Sequence, residues 1–155
     1  MGCKIMDKRY VLMSLREKPY RKILSGEKKY EYRTRYTNQE TVAFIYVSQS
    51  VKKVCGIIFF DKPIVGNTEE MSRFSEKHNP GSYSVMKEYF KKGTGYAIPV
   101  KKVIEFSPIS LSKIKEHFPN FVVPQSYYYL DTQEKKELLE FLLREANLQS
   151  MDSLL

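Results

Sequence analysis

The sequence predicts an α+β fold: a curled or closed, mostly antiparallel sheet with helices inserted between its strands. Three observations predict it. Five or six short segments carry strand patterns, and the segments between them carry helical periodicity. Hydrophobic residues make up 42% of 155, enough for a core, and that length fits one domain over residues 1–155.

Taken in order, residues 9–16 (RYVLMSLR) are apolar and β-branched at their centre and read as the first strand. Lys18-Pro19-Tyr20 follows, and proline suits the first turn of a helix because that turn has an N–H to spare. Tyr20, Ile23 and Leu24 share one helical face, and Gly26 supplies the stop. Residues 28–35 alternate, with Tyr30, Tyr32 and Thr34 on one side and Lys29, Glu31, Arg33 and Arg35 on the other, a strand with one buried and one polar face. Residues 42–48 (VAFIYVS) and 54–60 (VCGIIFF) are apolar throughout, so both faces of these strands should be covered; Gly56 marks a bulge or a close backbone approach. Residues 67–93 read as two short helices outside the sheet, broken at Asn79-Pro80-Gly81. Residues 96–106 return to strand, 110–118 to helix and 126–130 to strand. Asp131 with Glu134 reads as a capping box opening a last amphipathic helix, whose Leu138, Leu139, Phe141, Leu142 and Leu143 cover the sheet or dock a partner.

Charge is unevenly placed. Lys and Arg total 26 against 18 acidic residues, a net +8. Residues 16–35 alone hold eight basic side chains against three acidic, the footprint of a phosphate-bearing partner or of a solvated lysine-rich face. The longest apolar run, residues 54–60, is too short to cross a bilayer. Residues 1–20 lack the apolar core of a secretory signal, and Gly2 lacks the hydroxyl residue of a myristoylation site. A cytoplasmic protein is expected. Cys3 and Cys55 are too few for a disulfide framework or zinc cluster, and His78 and His117 stand alone as helix-end residues, so neither a metal nor another cofactor is expected. The phosphate-binding glycine loop, HExxH, G-x-S-x-G and CxxC are all missing.

What remains is Gly26-Glu27-Lys28-Lys29-Tyr30-Glu31-Tyr32-Arg33. This segment resembles the G-x-K-x-x-E-x-R motif of the ASCH domain family, and the resemblance extends across Ser14-Leu15, Lys18-Pro19-Tyr20, Tyr46-Val47-Ser48, residues 51–56, Pro108-Ile109 and residues 124–127. It implies a PUA-like fold, a small, mostly antiparallel β-barrel with flanking helices, and a ligand cleft between the first helix and the barrel. Glu31 and Arg33 lie two apart on one strand and can pair. Lys28 has the opposite parity and reaches them only if the helix-to-strand junction kinks. Without the resemblance, the same three residues read as an ordinary solvated strand face.

Three functions follow as expectations. The first is a binding module for RNA, a nucleobase or a nucleotide-like small molecule, using Lys28, Glu31 and Arg33, with Tyr20, Ser48, Gln125 and Ser126 as further contacts. Tyr30, Tyr32 and residues 127–129 offer either stacking surfaces or core packing. The alternative is a hydrolase on RNA or a modified nucleoside, a ribonuclease or an N4-acetylcytidine amidohydrolase-like enzyme, with Lys28 and Glu31 catalytic. The amidohydrolase-like members resemble G-x-K-x-x-T-x-R; here Glu31 stands where that Thr would, so its nucleophile is gone and a carboxylate faces the lysine. A hydrolysis in which Glu31 activates water and Lys28 stabilises the developing oxyanion is the form left open. The third is docking of a partner on the C-terminal helix.

Overall fold

The computed structural model describes residues 8–148, so Gly2 and Cys3 lie outside the described residues. Its elements are β1 (Arg9–Leu15), α1 (Glu17–Leu24), β2 (Tyr30–Arg33), β3 (Thr41–Val47), β4 (Lys53–Phe60), β5 (Ile64–Gly66), α2 (Thr68–His78), α3 (Tyr83–Tyr89), β6 (Gly95–Ser110), α4 (Leu111–His117), β7 (Tyr127–Tyr129) and α5 (Lys136–Glu145). The strands form one sheet in the order β2-β6-β4-β3-β1-β7, with β5 also on β6. All pairings are antiparallel except β1 with β3, which run parallel because α1 and β2 intervene. The fold is α+β, a curled half-barrel with five helices, as the sequence patterns predict.

Alternation along the central strands divides the core. Leu12, Val42, Phe44, Ile57 and Phe59 face α4 and α5, where they meet Ile114, Leu138, Phe141 and Leu142. Val11, Met13, Ala43, Ile45, Ile58 and Phe60 face the opposite side and enclose Tyr20 and Ile23 of α1. Since β3 and β4 are covered on both faces, each buries nearly every residue. The C-terminal helix therefore covers the sheet. Val54 and Ile57 share a face although their parities differ, because the ladder slips between Val54 and Gly56. A Cβ at Gly56 would stand 2.6 Å from the Ile104 carbonyl oxygen and 2.7 Å from the Tyr20 hydroxyl, so only glycine fits this close approach.

Three differences from the sequence reading have physical causes. β5 is three residues long, too short to show a period. The expected capping box at Asp131 does not form: α5 starts after Lys135 with no side-chain cap. Asp131 is drawn away by Arg9, which donates to it from Nε and Nη2 at 2.9 and 2.8 Å, and by the Tyr10 N–H at 3.0 Å. A bidentate charged pair outweighs one neutral cap bond. The real capping box is on α2, where Asn67 Oδ1 accepts from the Glu70 N–H and Glu70 accepts from the Asn67 N–H, both at 2.8 Å. Third, β2 has no solvated face. Tyr30 and Tyr32 pack under α2 and α3 with Phe74 and Met86, while Glu31 turns inward and is only 7% exposed.

Candidate functional site

The site begins where α1 stops. Gly26 adopts φ +83°, a conformation open to glycine, and reverses the chain so that the Lys28 N–H donates to the Lys22 carbonyl at 3.0 Å. The strand starts only at Tyr30, so Lys28 is free of strand parity. This is the kink its participation required. Its Nζ lies 3.4 Å from Glu31 Oε1, and Arg33 Nε donates to Glu31 Oε2 at 2.9 Å. One carboxylate thus holds two cations.

Arg33, whose side chain is 12% exposed, extends the network across the fold. Its Nη1 donates to Ser126 Oγ at 2.8 Å and its Nη2 to the Ser14 carbonyl at 3.0 Å. Ser126 is held in place in turn, because the Ser14 N–H donates to its carbonyl at 3.0 Å and Ser14 Oγ donates to the Pro124 carbonyl at 2.6 Å. The guanidinium has five N–H donors, of which three are used here, and the Ser126 hydroxyl hydrogen is not consumed by accepting from Arg33. Both can still donate to an anion.

Glu31, Arg33 and Ser126 line a cavity of about 460 Å³ together with Arg16, Arg35, Tyr89 and Gln125. Burial pushes the Tyr89 phenol up, Arg33 pulls it down and Glu31 raises it again, with a net upward shift that keeps it a neutral donor. Its hydroxyl donates to the Tyr32 carbonyl at 3.1 Å. A second cavity of about 400 Å³ abuts the first at Tyr32 and is lined by Lys18, Lys22, Lys28, Lys29, Tyr30 and His78. Lys28 is on the wall of this second cavity, with its ammonium 5.3 Å from the centre of the Tyr32 ring that the two spaces share.

Of the residues expected at the site, Lys28, Glu31, Arg33, Gln125 and Ser126 come together. Tyr20 and Ser48 do not. Tyr20 is 4% exposed on the inner side of α1, beside Gly56 and Cys55, and borders a separate cavity of about 420 Å³. Ser48 Oγ donates to the Leu15 carbonyl at 3.3 Å. Tyr127 packs on Tyr36 with ring centres 4.9 Å apart, and Tyr128 donates to the Val122 carbonyl at 2.7 Å, so both serve packing. Arg16, Arg35, Tyr89 and the Ser14 carbonyl were not singled out as ligand contacts. The two arginines lay in the basic stretch; a backbone carbonyl and an aromatic 56 residues beyond Arg33 carry no such sequence signal. His78 does end a helix, and its ring also reaches the second cavity. Among the described residues, no three His, Cys, Asp or Glu side chains cluster as metal ligands, and no helix is long and apolar enough to cross a membrane.

No family model matches the chain. A curated protein of Zymomonas mobilis, described as an ASCH domain-containing ribonuclease, is 28% identical over 141 residues, which span 87% of this chain and 93% of that protein. The crystal structure of the ASCH protein from Zymomonas mobilis matches at a TM-score of 0.68 and 24% identity, over 86% of this chain and 95% of that one. A serine-to-alanine variant of it matches at 0.71 and 24%, over 87% and 97%. An NMR structure from Rhodopseudomonas palustris matches at 0.50 and 15% identity, over 92% and 95%.

Proposed function

This chain belongs to the ASCH domain family, and from that premise we propose that it binds RNA and cleaves it in the cavity around Glu31. The observation that carries the reading is a carboxylate at 7% exposure gripping Lys28 and Arg33 beside a space rimmed by further arginines. A phosphodiester is the anion such a space suits. Arg33 offers its two unused N–H groups, Lys28 its ammonium and Ser126 its hydroxyl hydrogen to the non-bridging oxygens. Glu31 accepts the proton of the neighbouring 2′-hydroxyl as its oxygen bonds to phosphorus. The bond from phosphorus to the 5′ oxygen breaks, and Lys28 gives that oxygen a proton. The products are a 2′,3′-cyclic phosphate and a free 5′-hydroxyl. Back-transfer of one proton from Glu31 to Lys28 restores the site.

Purified protein incubated with end-labelled RNA should give those ends. Glu31→Gln and Lys28→Ala should each slow cleavage by about 10²–10⁴-fold, the usual worth of a positioned proton-transfer group, while Glu31→Gln still binds RNA. A 2′-deoxy substitution at the cut site should block cleavage and leave binding intact. Undiminished cleavage in both variants would place the chemistry elsewhere.

One observation favours a second reading. Both oxygens of Glu31 are engaged by cations, as in a rigid clamp that holds an RNA or nucleotide without turning it over. That reading predicts salt-sensitive binding by the wild type with no product at any time.

A further inference from the structure

The second cavity shares Lys28 with the Glu31 network, but neither folding nor the cleavage step requires the charge of its other lysines, Lys18, Lys22 and Lys29. We propose that this lysine-lined space between α1 and the end of α2 is a second nucleotide subsite, so that the protein engages at least two consecutive nucleotides of one strand. The inference rests on the RNA reading above and adds a length requirement to it.

Charge is the first support. Lys18, Lys22, Lys28 and Lys29 border the cavity against a single carboxylate, Glu27. Lys18 and Lys29 are exposed and have no carboxylate partner among the described residues. Lys22 reaches Glu27 only at 3.8 Å, with both side chains largely in solvent, a pair worth little. Lys28 is paired with Glu31, but Lys18, Lys22 and Lys29 repel each other around one hollow, and an entering anion relieves that repulsion.

Shape is the second. The two cavities, about 400 and 460 Å³, each fall in the range that small-ligand pockets occupy and share Tyr32 as a common wall. Lys28 lines one and is bonded to Glu31 in the other, so a phosphate between the two nucleotides would lie within its reach. The third support is the lining itself. Tyr30 and His78 rings, 4.8 Å apart between centres, stand on the wall, and His78 is exposed. His78 Nδ1 meets the Phe74 carbonyl at 2.9 Å, which fixes the ring as a platform for a base or sugar. His78 comes from α2 and Tyr30 from β2, so the excursion between β5 and β6 completes a wall that the bare half-barrel leaves half-built.

The test is fluorescence anisotropy with labelled 2′-O-methyl oligonucleotides of one to six nucleotides, which resist cleavage through the 2′ position. Wild-type affinity should rise at least tenfold between one nucleotide and three. In Lys22→Ala/Lys29→Ala that step should vanish while mononucleotide affinity stays the same, and the salt slope for the trinucleotide should fall by about 1.4, two single-strand phosphate contacts. Both lysines are on the surface, so an unchanged thermal melt will accompany the change. Equal affinity at one and three nucleotides overturns the inference, as does a step that survives the double substitution. Cleavage of unmodified RNA, followed in parallel, separates the two claims. A length step without product keeps the subsite and retires the cleavage step; product without a length step does the reverse.

Discussion

Tyr20 carries a hydroxyl that is buried and has no hydrogen-bond partner among the described residues, held against the one glycine the β4 bulge demands. Burial, reinforced by Glu105 and Cys55, pushes the phenol well above its ordinary range, so it stays protonated and its donor goes unused. Tyr20→Phe should therefore leave urea stability unchanged or raise it by up to about 1 kcal/mol, since it removes an unmet polar group and keeps the ring. Gly56→Ala should cost about 1–3 kcal/mol in the same assay, because the new methyl meets backbone that cannot withdraw. Gly56 was readable from sequence as a glycine inside an apolar run. The fate of Tyr20 was not, because an aromatic beside lysines has the same local pattern whether it faces a ligand or a core. The pairing of Glu31 with Arg33 followed from strand parity, whereas strand parity alone left Lys28 out, and only the reversal at Gly26 brings it to Glu31. The reach of Arg33 to Ser126 spans 93 positions and has no local signal.

At the level of elements, the patterns located both terminal helices and the long strands, and failed where two interactions competed for one side chain. Asp131 is the case in point. Burial alone would raise its pKa, but the Arg9 hydrogen bond and the Tyr10 N–H outweigh that and bring it below the usual value. The folded state then holds fewer protons than the unfolded chain in acid, so the contribution is fully present above the ordinary aspartate range and is lost as pH falls below about 4. Urea melts across pH 2–7 should show Asp131→Asn less stable by about 1–3 kcal/mol at neutrality and flatter in acid. A variant whose acid limb matches the wild type would show that this pair does not tie β1 to the start of the α5 segment. Asp131 and Glu134 have the spacing of a cap, and only the arrival of Arg9 from 122 positions away decides otherwise.

For the whole molecule, the decisive fact is the position of β1. It lies inside the sheet, parallel to β3 and antiparallel to β7, with Val11 opposite Tyr129. Sequence patterns identify strands but do not order them, so the curled α+β class was legible and this neighbour list was not. Pairings between such distant segments slow folding and make it all-or-none. A chain cut after residue 120 lacks β7 and α5, and its urea unfolding should lose the cooperative transition of the full chain.

Arg33 clasps Ser14, near one end of the chain, and Ser126, near the other. During synthesis the lysines and arginines of residues 16–35 emerge long before the strand that completes their pocket. A nascent or truncated polypeptide carries the positive charge without the completed pocket. The basic segment is therefore exposed early, and the Glu31–Arg33 pair is locked in place only once the segment carrying Ser126 has followed it.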